Sequence, residues 1–264
     1  MSAGTLSVRA AAADGVAHVV LANPGKLNAI DIAMWRELRR VFEALQALPA
    51  PDAPRAVVLS GADGSFASGG DIAEFASFRF VETRLHDFHE HIVAPALHAM
   101  LDCDIPVLAQ IDGACIGGGF EIAACCDIRI CGTASRFGAP IAKLGFPMAP
   151  GELAVLARVV GMAALREMLL EAQLFDAARA LQLRLVHAVV ADDPVAAQTL
   201  ARARSVAALS PQAARLNKRT LRQIAAGGPS AEQRRAHFAY ADSAEHREGV
   251  TAFIEKRAPR FSRD

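Results

Sequence analysis

Three consecutive glycines followed by a single acid form the stretch of this chain best suited to chemistry. Gly117–Gly119 come after an apolar segment that breaks at Asp112-Gly113, and the apolar, small-residue run that follows them carries Glu121. This order predicts a buried strand, a tight turn and a helix whose first turn begins at the glycines. Because glycine has no Cβ, it lets the backbone come close to a ligand.

The first amides of such a helix could stabilise negative charge. They have no intrahelical partner and lie at the positive end of the helix dipole. A carbonyl oxygen that gains charge during a reaction is stabilised by donors of this kind. Glycines that only permit close helix packing are the alternative, since glycine-rich turns are common.

Glu121 is the second candidate for chemistry. An unpaired carboxylate in an apolar run is costly, so its pKa is expected to rise. A carboxyl group of that kind suits a general acid or base. The alternative is a structural carboxylate that is hydrogen-bonded to backbone.

Strand–turn–helix units recur along the first part of the chain and must position these residues. Strands are predicted at 6–14, 16–21, 56–60, 106–111 and 128–131, and a helical stretch at 79–101. Asp31 is placed to cap a helix that runs to about Leu48. Its apolar face is predicted to contain Trp35, Leu38, Val41, Phe42 and Leu45. The alternation predicts an α/β fold with largely parallel strands.

From Glu152 onward the pattern is mainly helical. Helices are predicted at 153–160 and 163–171, then a segment capped by Asp176 and a last strand at 186–190. Helical stretches at 194–208, 211–226 and 230–256 follow without strands between them. We therefore place a boundary near Asp193, between an α/β body of residues 1–193 and a helical C-terminal region of residues 194–264. Such a region packs against the body or against a second subunit, and the sequence does not choose between these.

Length, composition and charge exclude several classes of protein. The chain has 264 residues, of which 53% are hydrophobic and 21% charged, so it is not disordered and can bury a substantial core. Lysine plus arginine total 28 and aspartate plus glutamate total 28, which argues against broad binding to nucleic acid or anionic membrane. Apolar runs fall short of a membrane span and no secretory leader opens the chain, so we expect a cytoplasmic protein.

The cysteines and histidines do not predict a metal site. Most of the cysteines lie in apolar strand or helix surroundings without metal-ligand spacing, which predicts reduced core thiols. They are Cys103, Cys115, Cys125, Cys126 and Cys131. Four histidines, His86, His89, His91 and His98, fall in one helical stretch, where His86 and His89 can share a face. No cysteine or carboxylate set completes a site around them, so solvated or core histidines are expected.

Three segments in this order and spacing resemble the crotonase family, also called the enoyl-CoA hydratase/isomerase family. They are NPGKLNAI, SFASGGDIAEF and IDGACIGGGFEIAACCDIRI, and the chain ending GVTAFIEKRAPRF matches as well. The resemblance implies a crotonase-like spiral of ββα units with a helical C-terminal region that mediates trimers, often paired into hexamers. It also implies an acyl-CoA substrate, in which coenzyme A is part of the substrate and no separate cofactor is required.

The resemblance further implies site residues. The thioester oxygen is held between two backbone amides, which fall by position on Ser68 and Gly118. Glu121 falls on the first of two catalytic glutamates, and this favours its functional interpretation. Asp71 is expected to cap the next helix, and Lys26 and Lys256 lie in segments that neighbour the CoA phosphates in relatives. The remaining substrate contacts implied are Asn28, Ala29, Gly70, Ile72, Gly117 and Ile141, and the histidines of 86–98 lie where relatives often line the acyl pocket.

The second catalytic glutamate is missing from its expected position. That position, just after the proline of FGAPIAKLG, holds Ile141, which can neither give nor take a proton. Glu152 stands nearby, where the family commonly has a glycine. It is expected mainly as an acid in the first turn of a helix, and the alternative is a substitute catalytic acid.

Several activities are therefore compatible with the sequence. A hydratase or isomerase would use the amide pair with Glu121 as the main acid or base. A decarboxylase needs mainly enolate stabilisation. A degenerate, non-catalytic protein that binds CoA thioesters or serves as an assembly subunit is the alternative from another class.

Overall fold

The strands form two sheets of different size. In the computed structural model, which describes residues 3–11, 13–191 and 194–261, the strands are β1 (Thr5–Arg9), β2 (Val16–Ala22), β3 (Ala56–Gly61), β4 (Val107–Ile111), β5 (Ala114–Ile116), β6 (Ile128–Gly132), β7 (Arg136–Gly138), β8 (Phe175–Asp176) and β9 (Ala188–Val190). The larger sheet has the order β1-β2-β3-β4-β6-β9, and the smaller one the order β5-β7-β8. In the larger sheet only β1 is antiparallel to its neighbour. The predicted α/β class with largely parallel strands is confirmed.

Helices follow the strands and become the dominant element towards the C-terminus. They are α1 (Ile32–Ala47), α2 (Ile72–Phe75), α3 (Glu82–Phe88), α4 (Ala94–Asp102), α5 (Gly118–Ala124), α6 (Pro150–Val160), α7 (Met162–Leu170), α8 (Ala177–Gln182), α9 (Val195–Ala207), α10 (Pro211–Ala225), α11 (Ala231–His237) and α12 (Ala244–Ile254). The predicted caps are confirmed, because the side chains of Asp31, Asp71 and Asp176 each accept a backbone N–H of the following helix. The predicted apolar face of α1 is buried.

The repeating unit is a long strand, a short strand and a helix. After β4 the chain forms β5 in the smaller sheet and then α5, and after β6 it forms β7. After β3 the short strand is reduced to a single residue, Ala67, which pairs with Cys115 of β5 in a parallel bridge. The ββα units implied by the resemblance are therefore present.

Some predicted elements differ from the observed ones. The first strand ends at Arg9 rather than at residue 14, since Asp14 lies in the turn and its carboxylate accepts the Val16 N–H. The predicted helix at 79–101 contains a π-helical turn at His89–Val93 between α3 and α4. The stretch predicted as one helix at 230–256 is interrupted. A 3₁₀ turn at Phe238–Asp242 follows α11, and Ser243 then caps a new helix, α12.

Both faces of the larger sheet are covered by apolar side chains. On one face α9 contributes Val195, Ala203 and Ala207 to a buried cluster with residues of β2, β3, β4 and β6. The larger core lies on the opposite face of this sheet. It includes all five cysteines, which are buried and free, as predicted. The boundary proposed near Asp193 stays a prediction, and that residue lies outside the described part of the chain. No helix in the described ranges has the length and apolar character needed to span a membrane.

Asp104 anchors the C-terminal region to the body. Its buried carboxylate accepts hydrogen bonds from Arg219 and from Arg222 of α10, the latter at 2.8 Å. Burial alone would raise the pKa of Asp104, but the two arginines outweigh it and hold that pKa below the usual value. A carboxylate with a depressed folded-state pKa stabilises the fold above its usual pKa of 3.8, and this stabilisation is lost as the pH falls below it.

Asp104→Asn is therefore expected to lower the free energy of unfolding at neutral pH by about 1–3 kcal/mol. The variant should also lose part of the acid sensitivity of the wild-type chain. Thermal unfolding at a series of pH values measures both effects. Asp102→Asn is the matched control, because this exposed carboxylate lies 3.6 Å from Arg222 Nε. Equal stability of the two variants would contradict the anchoring role.

Candidate active site

A cavity of about 340 Å³ opens beside the N-terminus of α5. Its walls come from the loop before α2, the π-helical turn, residues 140–148 and the first turn of α6. Most of the lining side chains are apolar. The ionisable residues that line it are Arg79, His89, Glu121, Lys143 and Glu152.

The start of α5 requires glycine at two positions for different reasons. Gly117 has φ +50° and ψ −121°, a conformation that other residues rarely adopt. At Gly119 a Cβ would lie 2.6 Å from the carbonyl oxygen of Ala67, so any larger residue would force the helix away from that segment. The glycine run therefore both turns the chain out of β5 and lets α5 begin close to the neighbouring loop.

Two backbone amides without a protein partner lie close together in the cavity wall. Within the described ranges, no hydrogen bond uses the N–H of Gly70 or of Gly118, and both residues line the cavity. A Cβ placed on Gly118 would be 3.9 Å from the Gly70 nitrogen. Ile30 bonds to the carbonyl of Gly69 and to the N–H of Asp71, so the Gly70 N–H is left out of that bridge. The two amides can donate to one oxygen atom between them.

Ser68 does not supply the donor predicted for it. Its N–H donates to the carbonyl of Leu27 at 3.0 Å, and its hydroxyl donates to the carbonyl of Lys26 at 2.9 Å. Because both donors are engaged by the same loop, the pair predicted from the sequence is wrong for Ser68. Gly70, predicted only as a substrate contact, has an amide without a hydrogen-bond partner among the described residues.

Glu121 lies in the first turn of α5 and is 6% exposed. Burial raises the pKa of this carboxyl well above its ordinary value; the neighbouring Glu152 raises it further, and Arg79 opposes the shift. No hydrogen bond among the described residues reaches its side chain, so the structural alternative has no support. A buried carboxyl group with a raised pKa that faces a cavity is suited to donate a proton.

The location of Glu152 is compatible with both interpretations of this residue, an acid in the first turn of a helix and a carboxyl group of the active site. It lies in the first turn of α6, and its carboxyl, 4% exposed, also lines the cavity. Its Oε1 lies 2.6 Å from Nδ1 of His89, which belongs to the π-helical turn. The hydrogen bond fixes the orientation of the carboxyl group. Ile141 lines the same cavity, so the isoleucine and this second glutamate share one site.

The predicted substrate contacts divide into two groups. Gly70, Ile72, Gly117 and Ile141 line the cavity, whereas Lys26, Asn28, Ala29, Asp71 and Lys256 are not among its lining residues. For this second group, contact with a substrate stays a prediction.

Most of the second group holds the loops around the cavity. Lys26 Nζ lies 2.5 Å from Oδ2 of Asp71, and Asp71 also caps α2. The buried Asn28 donates to the carbonyls of Ala62 and Ser65, at 2.8 and 2.7 Å. Ala29 accepts through its carbonyl a hydrogen bond from Asn23.

Sequence reasoning missed Arg79 and did not single out His89. Arg79 lies in the aromatic segment FASFRF, and this concentration of phenylalanine around one arginine was the available signal. His89 was one of several histidines predicted near the acyl pocket. His89 contacts Glu152 from the π-helical turn, whereas His86 and His91 are exposed.

The exposed histidines do have a carboxylate beside them. His86, Asp87 and His91 carry ligand atoms that lie within 4.8 Å of one another. The prediction that no carboxylate accompanies these histidines is therefore wrong in detail. Of the two histidines predicted to share a face, His86 is exposed and His89 contacts Glu152.

Comparison with known proteins gives one family. The sequence profile of the enoyl-CoA hydratase/isomerase family matches residues 11–264. A probable enoyl-CoA hydratase of Rhizobium meliloti is 34% identical over 253 residues, which cover 93% of this chain and 94% of the relative. A solved enoyl-CoA hydratase/carnithine racemase from Magnetospirillum magneticum superposes with a TM-score of 0.91 at 36% identity, over 100% of this chain and 97% of that one. A solved family protein from Hyphomonas neptunium gives 0.89 at 30% identity, over 98% of both chains. The chain belongs to the enoyl-CoA hydratase/isomerase family.

Proposed function

We propose that the protein adds water to the double bond of an enoyl-CoA thioester. The observation that carries this proposal is that Glu121 and Glu152, two buried carboxyl groups, line one cavity together with the free amides of Gly70 and Gly118. Hydration in this family needs two acids, and Glu152 supplies the one that is absent at Ile141. Relatives named enoyl-CoA hydratase agree with this reaction class.

The proposed steps conserve atoms and charge. The amides of Gly70 and Gly118 bind the thioester oxygen and stabilise the enolate that forms when water adds to Cβ. Glu152, oriented by His89, removes a proton from the attacking water. Glu121, whose pKa is raised by burial, acts in its protonated form and delivers a proton to Cα. A proton then returns from Glu152 to Glu121, directly or through solvent, and both groups are reset.

A panel of thioesters tests this proposal. Crotonyl-CoA, a positional isomer of it and a malonyl-type ester distinguish hydration, double-bond isomerisation and decarboxylation by their products. Calorimetric titration with a saturated acyl-CoA and with free CoA is the second measurement. The acyl-CoA is expected to bind more tightly, because only it offers a thioester oxygen to the two amides. Binding without turnover of any ester would identify a non-catalytic binder, and no binding of any acyl-CoA would remove the proposal.

We also propose that the C-terminal helices assemble the chain into a trimer or hexamer. Large apolar side chains are exposed there: Leu209, Leu221, Ile224, Phe238, Val250, Phe253 and Ile254. A surface of this kind is typical of an interaction site. Sedimentation of a monomer at micromolar concentration would reject the assembly. Phe253→Ser is expected to weaken it, with Phe80→Ser as control, since both phenylalanines are 85% exposed and only the first lies in this region.

A further inference from the structure

Arg79 presents a guanidinium group in the wall of the proposed acyl cavity. Its Cζ lies 4.2 Å from the ring centroid of Phe75 and 3.6 Å from that of Phe146. Contacts of this length are cation–π interactions, and they restrict the position of the side chain. The guanidinium is therefore held in a defined place among apolar residues.

This cation has no partner in the protein. Its Nε is buried without a hydrogen-bond partner, and no ion pair or side-chain hydrogen bond within the described ranges includes Arg79. The absence is unusual for a partly buried cation whose Nε is inaccessible to solvent, because buried polar groups are normally paired. A polar group that faces a cavity without a partner is a ready contact for a bound molecule.

The two carboxyl groups of the cavity do not fulfil this role. Both interact with Arg79 through their charge, but neither is hydrogen-bonded to it. Burial raises the pKa of Glu121 and so opposes its ionisation, and Glu152 is hydrogen-bonded to His89. Burial also lowers the pKa of Arg79, although an arginine stays charged at neutral pH. A hydrocarbon acyl chain would cover the guanidinium and leave its charge uncompensated.

We propose that Arg79 binds a carboxylate carried by the acyl group, so that the preferred substrates are CoA monothioesters of dicarboxylic acids. This inference rests on the proposed function, since it assumes that the cavity holds an acyl-CoA. A guanidinium presents parallel N–H donors that match the two oxygens of a carboxylate. Neutral acyl groups are then disfavoured because they leave the partly buried cation unpaired.

Matched pairs of saturated thioesters test the proposal without turnover. Glutaryl-CoA is compared with pentanoyl-CoA, adipyl-CoA with hexanoyl-CoA, and suberyl-CoA with octanoyl-CoA, by calorimetric titration of the wild-type protein. In at least one pair the carboxylate ester is expected to bind about 10-fold or more tightly than the neutral ester. This measurement needs no variant and so does not depend on how a substitution affects folding.

Arg79→Met then assigns the preference to this side chain. The variant should lose the tighter binding of the carboxylate ester and bind the neutral ester at least as well as wild type. Arg84→Met is the matched control, since it removes an equal charge from an exposed arginine whose contact is the carbonyl of Ser77. It should leave the preference unchanged.

Three results would overturn the inference. Equal binding within every pair would refute carboxylate recognition while leaving acyl-CoA binding in place. If Arg79→Met weakens the binding of both esters equally, the arginine supports the cavity and does not select the acyl group. Failure of every ester to bind would refute the proposed function itself, and this inference with it.

Discussion

Glu152→Gln is expected to lower the rate of enoyl-CoA hydration by about 10²–10⁴-fold. Glutamine keeps the size and hydrogen-bonding capacity of the side chain but cannot take a proton from water. The thioester should still bind, because the amides of Gly70 and Gly118 are unchanged. The measurement is the loss of the enoyl-thioester absorbance under saturating and limiting substrate, which separates kcat from KM.

The control for this substitution is Glu82→Gln. Glu82 lies in the first turn of α3, as Glu152 lies in the first turn of α6, but it is exposed and does not line the cavity. If Glu152 only offset the dipole of its helix, the two variants would behave alike, and the proposed role would be contradicted. Ile141→Glu in the Glu152→Gln background adds a rescue test, since it places a carboxyl where the family has its second acid.

Removal of one amide donor is expected to lower the hydration rate by an amount similar to that expected for Glu152→Gln. Gly118→Pro should hydrate about 10²–10³-fold more slowly than Gly118→Ala. Both residues add a Cβ, which would lie 2.8 Å from Cζ2 of Trp35, so this clash is common to the pair. Only proline lacks the N–H. Position 118 is the first residue of α5, where a helix accepts proline because that N–H has no intrahelical partner.

The comparison of the two variants, and not of either with wild type, carries the test. Circular dichroism and acyl-CoA binding show whether both variants fold. If they fold and turn over at equal rates, the Gly118 amide has no part in the reaction. The same comparison at Gly70, where a Cβ would meet the ring of Phe75 at 3.2 Å, tests the second donor.

The sequence predicted elements well where the cause is local. Asp31 and Asp176 cap their helices because a short side chain reaches an amide a few residues away, and such signals need no knowledge of the fold. The same holds for Gly117–Gly119, whose turn and helix start follow from glycine itself. The break at Ser243 had a local signal as well, a serine capping residue inside an otherwise helical pattern, but the helical periodicity on both sides concealed it.

Long-range contacts explain what could not be predicted. The order of residues identified the loop that contains Ser68 and Gly70, but not which amide is free, because the Ser68 N–H is engaged by Leu27. The pairing of His89 with Glu152 joins residues 63 positions apart and depends on a π-helical turn. No periodicity in the sequence indicates such a turn.

The bridge between Ala67 and Cys115 has a consequence for how this site tolerates change. The Ala67 N–H donates to the carbonyl of Ala114 at 2.8 Å, and the Ile116 N–H donates to the carbonyl of Ala67 at 3.0 Å. The chain segments that end at the two free amides are thus joined by main-chain hydrogen bonds. Cavity side chains other than Trp35 and Phe75, which lie against Gly118 and Gly70, can therefore be varied in a library without breaking these main-chain hydrogen bonds. In protein engineering, the choice of acyl group and the position of the catalytic acid could then be varied by side-chain substitution while the main-chain donors are kept.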